Sequence, residues 1–544
     1  MKTKTTYTEQ RSLVPLGVTA MIARLKAEPS TSGEAGETLR LLVNFILFIL
    51  ALLQSTEIIA QKYDYNWLLG VRPGGDSYPQ NCMNIFDFND DSLKISKDNI
   101  NSEFFLTNAS ISDDDGNLLF YTNGCYIKDR MHNIMPYGDG LNPGIIYEDN
   151  CPDYGYTATE GATIIPPIAG SDVYYVFHTA YDVFNISPIV RCNKLYYSVV
   201  DMGLNNGLGA VIVKNQIVLD KFLETNIQAI KHENNEDWWV ITSKLSTPTY
   251  YRILLTAQGI ASIDSQQIGN EMNINADGQP AFTPDGKKYV RYDFNNQLRV
   301  MDFDRSTGLF SNFQQVQVDT ANHLFSGLAV SPNSRFVYIS AIDSIYQLDL
   351  EAPDIAASKV TVGAFDGFRY QDTYPVYFFY MRLGPDCRIY NVPFSPAPYM
   401  HVIFNPDEKG LACNFVQRAI ELPCIANYSL PNFPNYRLGT GYPVCDSNIV
   451  YTASGFTLPP VQGVNLYPNP ASGELNLEFS TGTGKPVVFR LYDTTGRLAS
   501  YWTLEGDGQP QSLNISGLAS GLYLWQLNTV DGLPLDKGKL VIEK

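Results

Sequence analysis

The chain has 544 residues, with 38 Lys and Arg against 56 Asp and Glu, a formal charge of −18 and a pI near 4.7. Such a field repels phosphate backbones and anionic lipid, which argues against nucleic acid or a membrane surface as partner. With 35 Tyr, 28 Phe and only 17% charged residues, the chain can bury a large β-rich core, and its length implies more than one domain.

The first element is the run Leu41–Leu53, apolar except for Asn44 and preceded by Arg40. It is short for a membrane span, which takes about 20 apolar residues, and suits the core of a secretory signal peptide. Ala60-Gln61 offers a cleavage point, although Ile58 is bulkier than the small residue usual at that place. The forty residues ahead of the run carry six basic and four acidic side chains. They read either as a long n-region or as the product of an upstream start, with an uncleaved N-terminal anchor as the alternative. Residues 1–60 therefore stand outside the fold argument, and no transmembrane segment is expected once the signal is removed.

From 61 to 460 a pattern of strand, turn and strand recurs. One copy is Ala281-Phe282-Thr283-Pro284-Asp285-Gly286-Lys287-Lys288-Tyr289-Val290. The next is Leu328-Ala329-Val330-Ser331-Pro332-Asn333-Ser334-Arg335-Phe336-Val337, and a third is Leu383-Gly384-Pro385-Asp386-Cys387-Arg388-Ile389-Tyr390. Pro284, Pro332 and Pro385 stand 48 and 53 residues apart. Proline sets the first turn dihedral, Asp or Asn caps the turn, and glycine serves where φ turns positive. Three or four strands in 40–50 residues is about the period of a β-propeller blade. The expected fold is all-β: a WD-repeat-like β-propeller of about seven blades. Earlier copies are degenerate: Asp113-Asp114-Asp115-Gly116-Asn117 is one such turn. Val173–Phe177 and Asp237–Ile241 read as further inner strands.

Cys82, Cys125, Cys151, Cys192, Cys387, Cys413, Cys424 and Cys445 suit disulfides in an oxidising compartment, with pairing open. The last four are expected to staple the closing region. No CxxC or zinc spacing occurs.

Linear catalytic motifs are lacking: no HExxH, no GxSxG, no P-loop. Gly482-Thr483-Gly484-Lys485 reads as a hairpin loop. A propeller can still assemble an axial site from distant residues, and His178, His232 and His323 with Glu233 or Asp201 are the candidates. Against this stands the plainer reading, in which each histidine caps a loop or packs in a blade. Asp90-Asp91 and Asp113-Asp114-Asp115 carry hard oxygens suited to calcium, but the second is also what a turn requires. No other cofactor is expected. Trp238-Trp239 suggests sugar stacking, yet strand alternation sends the two rings to opposite faces.

The tail, 461–544, alternates apolar and polar residues in Glu474–Phe479, Val487–Tyr492 and Leu522–Leu527, with Asn, Asp and Gly between the runs. It reads as a small immunoglobulin-like β-sandwich. Its markers are Leu466-Tyr467-Pro468-Asn469-Pro470-Ala471, Thr495-Gly496-Arg497, Ser520-Gly521-Leu522-Tyr523 and Lys537-Gly538-Lys539-Leu540. In this order they resemble the type A C-terminal sorting domain of the type IX secretion system of Bacteroidota. The resemblance implies Sec export followed by type IX secretion, a secreted or surface location, and the secretion machinery as partner. It makes Tyr467, Pro468, Asn469, Pro470, Gly496, Gly521, Tyr523 and Lys539 the sorting residues.

The body has its own signatures: Ala109-Ser110-Ile111-Ser112, Gly116–Gly124, Tyr196–Met202, Gly410–Phe415 and Leu430-Pro431-Asn432-Phe433. These resemble the propeller region of large Bacteroidota surface proteins, without their intervening adhesive modules. The resemblance brings no catalytic residue. Three readings stay open: a non-catalytic module binding extracellular glycan or protein, a propeller-type lactonase or glycan lyase or hydrolase with an axial site, and a structural component of the outer surface or gliding apparatus.

Overall fold

The computed structural model describes residues 61–544, except 75–79, 184–189, 274–277, 321–324, 439–442, 452–463, 480–486, 494–497, 506–508, 530–533 and a few single positions. The signal run Leu41–Leu53 and the loop 482–485 lie outside the described residues. The fold is all-β: among the described residues the one α-helix is Ile145–Asn150.

Among the described residues, seven sheets of three or four strands follow one another through the body, with a two-stranded hairpin, Arg369–Tyr370/Tyr374–Pro375, between the sixth and the seventh. The second opens with Ala109–Ser112, the third with Ala162–Ile165, and the fourth with Gln228–Lys231. The fifth, sixth and seventh open with Gln279–Phe282, Gly327–Val330 and Phe378–Leu383. These short opening strands are largely buried, and successive ones lie side by side, the last three most closely. Each later strand of a sheet lies one step further out, and the outermost, such as Gly259–Gln267, is largely solvated. Burial on both faces explains why the opening strands lack alternation. It also corrects the assignment of Val173–Phe177 and Asp237–Ile241 as inner strands: they begin the second strands Val173–Val183 and Trp238–Ser243. The true openers are four-residue runs, too short to carry a periodic signal.

The repeated turns have one geometry. Gly286 N–H donates to Thr283 O (2.8 Å), Ser334 N–H to Ser331 O (2.9 Å) and Cys387 N–H to Gly384 O (3.2 Å). Asp285, Asn333 and Asp386 each accept the backbone N–H two residues on. The same role falls to Asp113, whose Oδ1 accepts the N–H groups of Asp115 and Asn117. The residue after the cap takes positive φ whether it is Gly286 (74°), Ser334 (65°) or Cys387 (65°), so the side-chain cap defines the turn and glycine is optional.

The first sheet, Asn66–Gly70, Met83–Asp87 and Ser92–Asp98, is completed from the other end of the body. Val450–Tyr451 adds in parallel to Ser92 and Leu93, and Cys82 is bonded to Cys424. The other disulfides are Cys125–Cys151 and Cys387–Cys445, while Cys192 and Cys413 are free and buried. Of the last four cysteines, Cys387 and Cys445 pair with each other and Cys424 ties the closing region to the first sheet through Cys82, while Cys413 lies inside the packing of the sixth and seventh.

The tail forms two sheets, Val464–Tyr467/Glu474–Phe479/Gln511–Asn514 and Leu498–Leu504/Val487–Tyr492/Gly521–Thr529/Pro534–Ile542. Leu475, Leu477 and Leu513 of the first and Phe489, Leu491 and Leu527 of the second share one core of their own. Alternation along each strand puts these side chains on the facing surfaces.

Candidate functional site

Pro431 and Pro434 keep the segment Leu430–Arg437 out of regular pairing. Its Leu430, Phe433 and Tyr436 are buried all the same. The segment runs beside Asn66–Gly70 in the opposite direction. Asn432 N–H donates to Asn108 O (2.9 Å), and Asn108 in turn reaches Leu68 O (2.8 Å). Arg437 forms a buried ion pair with Asp64, and Tyr436 meets Tyr63 edge-on. It thereby packs against the opening strand of the first sheet.

Asn432 is the centre of this arrangement. Its Nδ2 donates to Ile227 O (2.9 Å) and Ala162 O (3.1 Å), and its Oδ1 accepts from Arg382 (3.2 Å) and Gln228 (3.3 Å). Glu160 is 3% exposed and sits just before Ala162–Ile165 with φ of 47°, a conformation that non-glycine residues seldom hold without support. Its carboxylate pairs with Arg382 and accepts from Gln279 Nε2 (2.9 Å) and Gln228 Nε2 (3.3 Å). Gln279 Oε1 accepts the N–H groups of Leu328 and Met381, both at 2.9 Å. The network therefore touches the second through the seventh sheets. Burial pushes the Glu160 carboxyl up, and the Arg382 guanidinium opposes that shift.

Beside the network lies a cavity of about 100 Å3. Its walls are the opening strands of the fourth to seventh sheets, at Ala229, Ala281, Ala329 and Met381, and the segment at Phe433 and Asn435. Arg382 Nε faces no acceptor. Arg382 itself belongs to the wall of this site. The site contains no nucleophile paired with a base.

The candidate histidines do not meet there. His178 is buried between Asn142 Oδ1 (2.6 Å) and Ser198 Oγ (2.9 Å). His232 lies at an exposed turn against Ser306 O (2.9 Å), next to Glu233. Asp201 caps a turn through Gly203 N–H (2.8 Å), and His323 and Asp91 lie outside the described residues. No group of three or more His, Cys, Asp or Glu placed to hold a metal occurs among the described residues. Trp238 and Trp239 do point to opposite faces, and both are buried: Trp238 against Tyr436, Trp239 with its Nε1 on Arg305 O (2.8 Å). Neither is open to a sugar. The sequence singled out the Leu430–Phe433 motif but passed over Glu160 and Arg382, which are isolated charges without local pattern.

Burial gives the two internal histidines a pH signature. The pKa of His178 is pushed down to about 3 by desolvation, and that of His401 to about 3 by desolvation and Arg418. Between about pH 6.5 and 3 the unfolded chain binds these protons and the native chain does not, so stability is present above that window and is lost as pH falls through it. Each histidine contributes a slope of up to about 1.4 kcal/mol per pH unit. A His178→Gln variant is expected to flatten the fall in melting temperature between pH 6 and 4; an unchanged slope would remove His178 from this account.

In the tail, Asn469 Oδ1 accepts Val541 N–H (2.9 Å) and its Nδ2 donates to Lys539 O (3.2 Å), pinning Tyr467–Pro470 to the last strand. Tyr467 and Lys539 are exposed. Gly521 has φ of 156°, a backbone region that favours glycine. Tyr523 Oη donates to Ala519 O (2.9 Å), and Gly496 lies outside the described residues. Residues 465–543 match the family model of the secretion system C-terminal sorting domain. The protein is exported by the type IX secretion system. Its location is accordingly the cell surface or the medium.

None of the curated proteins matches the chain. Among solved structures it is similar to a functionally unknown protein from Desulfotomaculum acetoxidans, at 11% identity and TM-score 0.34, over 68% of this chain and 100% of that one. The Dos1 propeller shares 12% identity at TM-score 0.32, over 58% and 74%. The periplasmic gluconolactonase of Pseudomonas aeruginosa shares 10% at TM-score 0.32, over 88% and 99%. At these scores the likeness carries no argument about activity.

Proposed function

We propose that the chain is an exported seven-bladed β-propeller, residues 61–460, followed by an immunoglobulin-like sorting sandwich, residues 461–544, with residues 1–60 as extension and signal peptide. The propeller acts outside the cell as a non-catalytic binding or structural module for glycan or protein. One observation carries this: the axis, where a propeller enzyme gathers its reacting groups, is occupied by the chain's own Asn432 and by a Glu160–Arg382 pair already bound to it. The sorting residues from Tyr467 to Lys539 serve the secretion machinery and leave the propeller free for its ligand. The solvated outer strands and the exposed Met131, Ile134 and Tyr137 supply contact area for a partner.

Two measurements test the proposal. Mass spectrometry of both termini in medium and outer-membrane fractions is expected to find a start at Gln61 and loss of the tail after about residue 460. An intact N-terminus with the tail retained in an inner fraction would oppose export by this route and make Leu41–Leu53 an anchor. The mature protein is then expected to bind surface glycans or proteins with no turnover of sugar lactones or glycans. Turnover lost on Glu160→Gln, with the melting temperature unchanged, would establish the enzyme reading instead.

A further inference from the structure

Three neighbouring opening strands, Gln228–Lys231, Gln279–Phe282 and Gly327–Val330, each bring an alanine to the cavity: Ala229, Ala281 and Ala329. Larger side chains at these places would fill it, so the space is the product of three small residues. Its volume of about 100 Å3 is small beside the roughly 300–1,000 Å3 of a pocket that encloses a whole ligand. It suits a substituent, with the remainder of the ligand outside. Ala281 and Leu383 in its wall are partly exposed, so the cavity communicates with the surface.

The charges of the wall are already balanced: Arg382 pairs with Glu160, and Arg437 with Asp64. A further ion of either sign would enter without a counter-charge, which is strongly disfavoured, so the fitting group is neutral. Its hydrogen bonds are set by two side chains of the wall. Gln228 commits Nε2 to Glu160 and Asn432, and among the described residues its Oε1 accepts nothing. Arg382 commits Nη2 to the same two residues, and its Nη1 and Nε donate to nothing described. A free acceptor and a free donor beside alanine methyls match a neutral group with an N–H, a carbonyl oxygen and a methyl.

We propose that this cavity is an acetamido subsite, in which the N-acetyl group of an extracellular amino sugar sets its methyl among Ala229, Ala281 and Ala329, donates its N–H to Gln228 Oε1 and accepts from Arg382. The subsite presupposes the glycan-binding reading of the body and narrows it to one sugar class. A sugar hydroxyl would leave the alanine surface uncovered, and the carboxylate of a uronic acid would bring in an uncompensated charge.

The test titrates the exported protein, by calorimetry, with methyl glycosides in pairs that differ only at C2: N-acetylglucosamine against glucose, and N-acetylgalactosamine against galactose. One acetamido sugar is expected to bind at least about tenfold more tightly than its hydroxyl counterpart. Ala281→Leu, which fills the cavity, is expected to abolish that difference while the melting temperature is unchanged. Equal binding within both pairs, or a preference that survives in Ala281→Leu, would overturn the subsite and leave glycan binding intact. Binding of none of the four would also overturn it, and a broad glycan array then decides separately whether the body binds glycan. A crystal of the unaltered protein soaked in N-acetylglucosamine is expected to show the acetamido group between Gln228 and Arg382. Sugar elsewhere, or water alone in the cavity, would overturn the subsite even where Ala281→Leu does not fold.

Discussion

A Cys82→Ser/Cys424→Ser double variant is expected to lose about 6 kcal/mol of stability, which for a domain of this size lowers the melting temperature by roughly 7 °C. The magnitude follows from the loop that the bond closes: its ends are separated by 342 residues, against 26 for Cys125–Cys151. Loop-closure entropy rises with the logarithm of that length, so a Cys125→Ser/Cys151→Ser variant is expected to lose only about 3.5 kcal/mol. The 82–424 bond also fixes contacts that have no other covalent support. Asn84 Oδ1 accepts the N–H of Cys424 (3.0 Å) and its Nδ2 reaches the carbonyl (3.1 Å), so the two segments form one patch. Differential scanning calorimetry of both variants, under conditions that keep the remaining bonds oxidised, checks the ordering. Equal losses would mean that the first sheet is held by Val450–Tyr451 and the segment Leu430–Arg437 alone.

Arg382→Ala is expected to cost about 3–5 kcal/mol, because it strands a carboxylate inside the molecule. Glu160 would keep its amide donors Gln279 and Gln228, and Asn432 Oδ1 would lose its bond from Arg382. The pH dependence then identifies the cause. Burial already pushes the Glu160 carboxyl up, and without Arg382 nothing comparable opposes it. The native state would hold its proton at pH values where the unfolded chain has released it. Stability contributed by the protonated form is therefore present below about pH 4.5 and is lost as pH rises. Replacing both partners, as in Glu160→Gln/Arg382→Met, is expected to recover most of the loss, since a buried pair contributes little over a neutral, well-packed substitute. Urea unfolding of the three variants from pH 4 to 8 measures this. A single variant as stable as the parent chain at pH 8 would show the Glu160 network to be dispensable.

Much of the fold was legible because its signals are local. Thr283–Lys288 and Ser331–Phe336 show the same cap and the same turn bond, and both follow from dihedral preferences within six residues. The strands of the tail were visible because one face of each sheet is wet, which imposes alternation on Glu474–Phe479 and Val487–Tyr492. The opening strands of the body were misplaced for the converse reason. Ala162–Ile165 and Gln228–Lys231 are buried on both faces, so neither polarity nor length sets them apart from their neighbours. The candidate site was the least legible part. Glu160 and Arg382 are 222 residues apart, and Asn432 lies 270 residues from the Ala162 carbonyl that it reaches. Histidines drew attention because their chemistry is versatile; His178 turned out to be held by Asn142 and Ser198 within its own neighbourhood.

By itself the sequence determined the all-β character, the repeating turns and the sorting tail. Each depends on interactions among near neighbours, or on a motif read as a linear string. Only the tertiary structure decided which cysteines join, what surrounds Asn432 and which charges meet there. A cysteine, an asparagine or an arginine carries the same local preferences whatever its eventual partner. Its partner is chosen when segments far apart in the chain come together, and the burial that makes Glu160 and Arg382 consequential exists only after that packing.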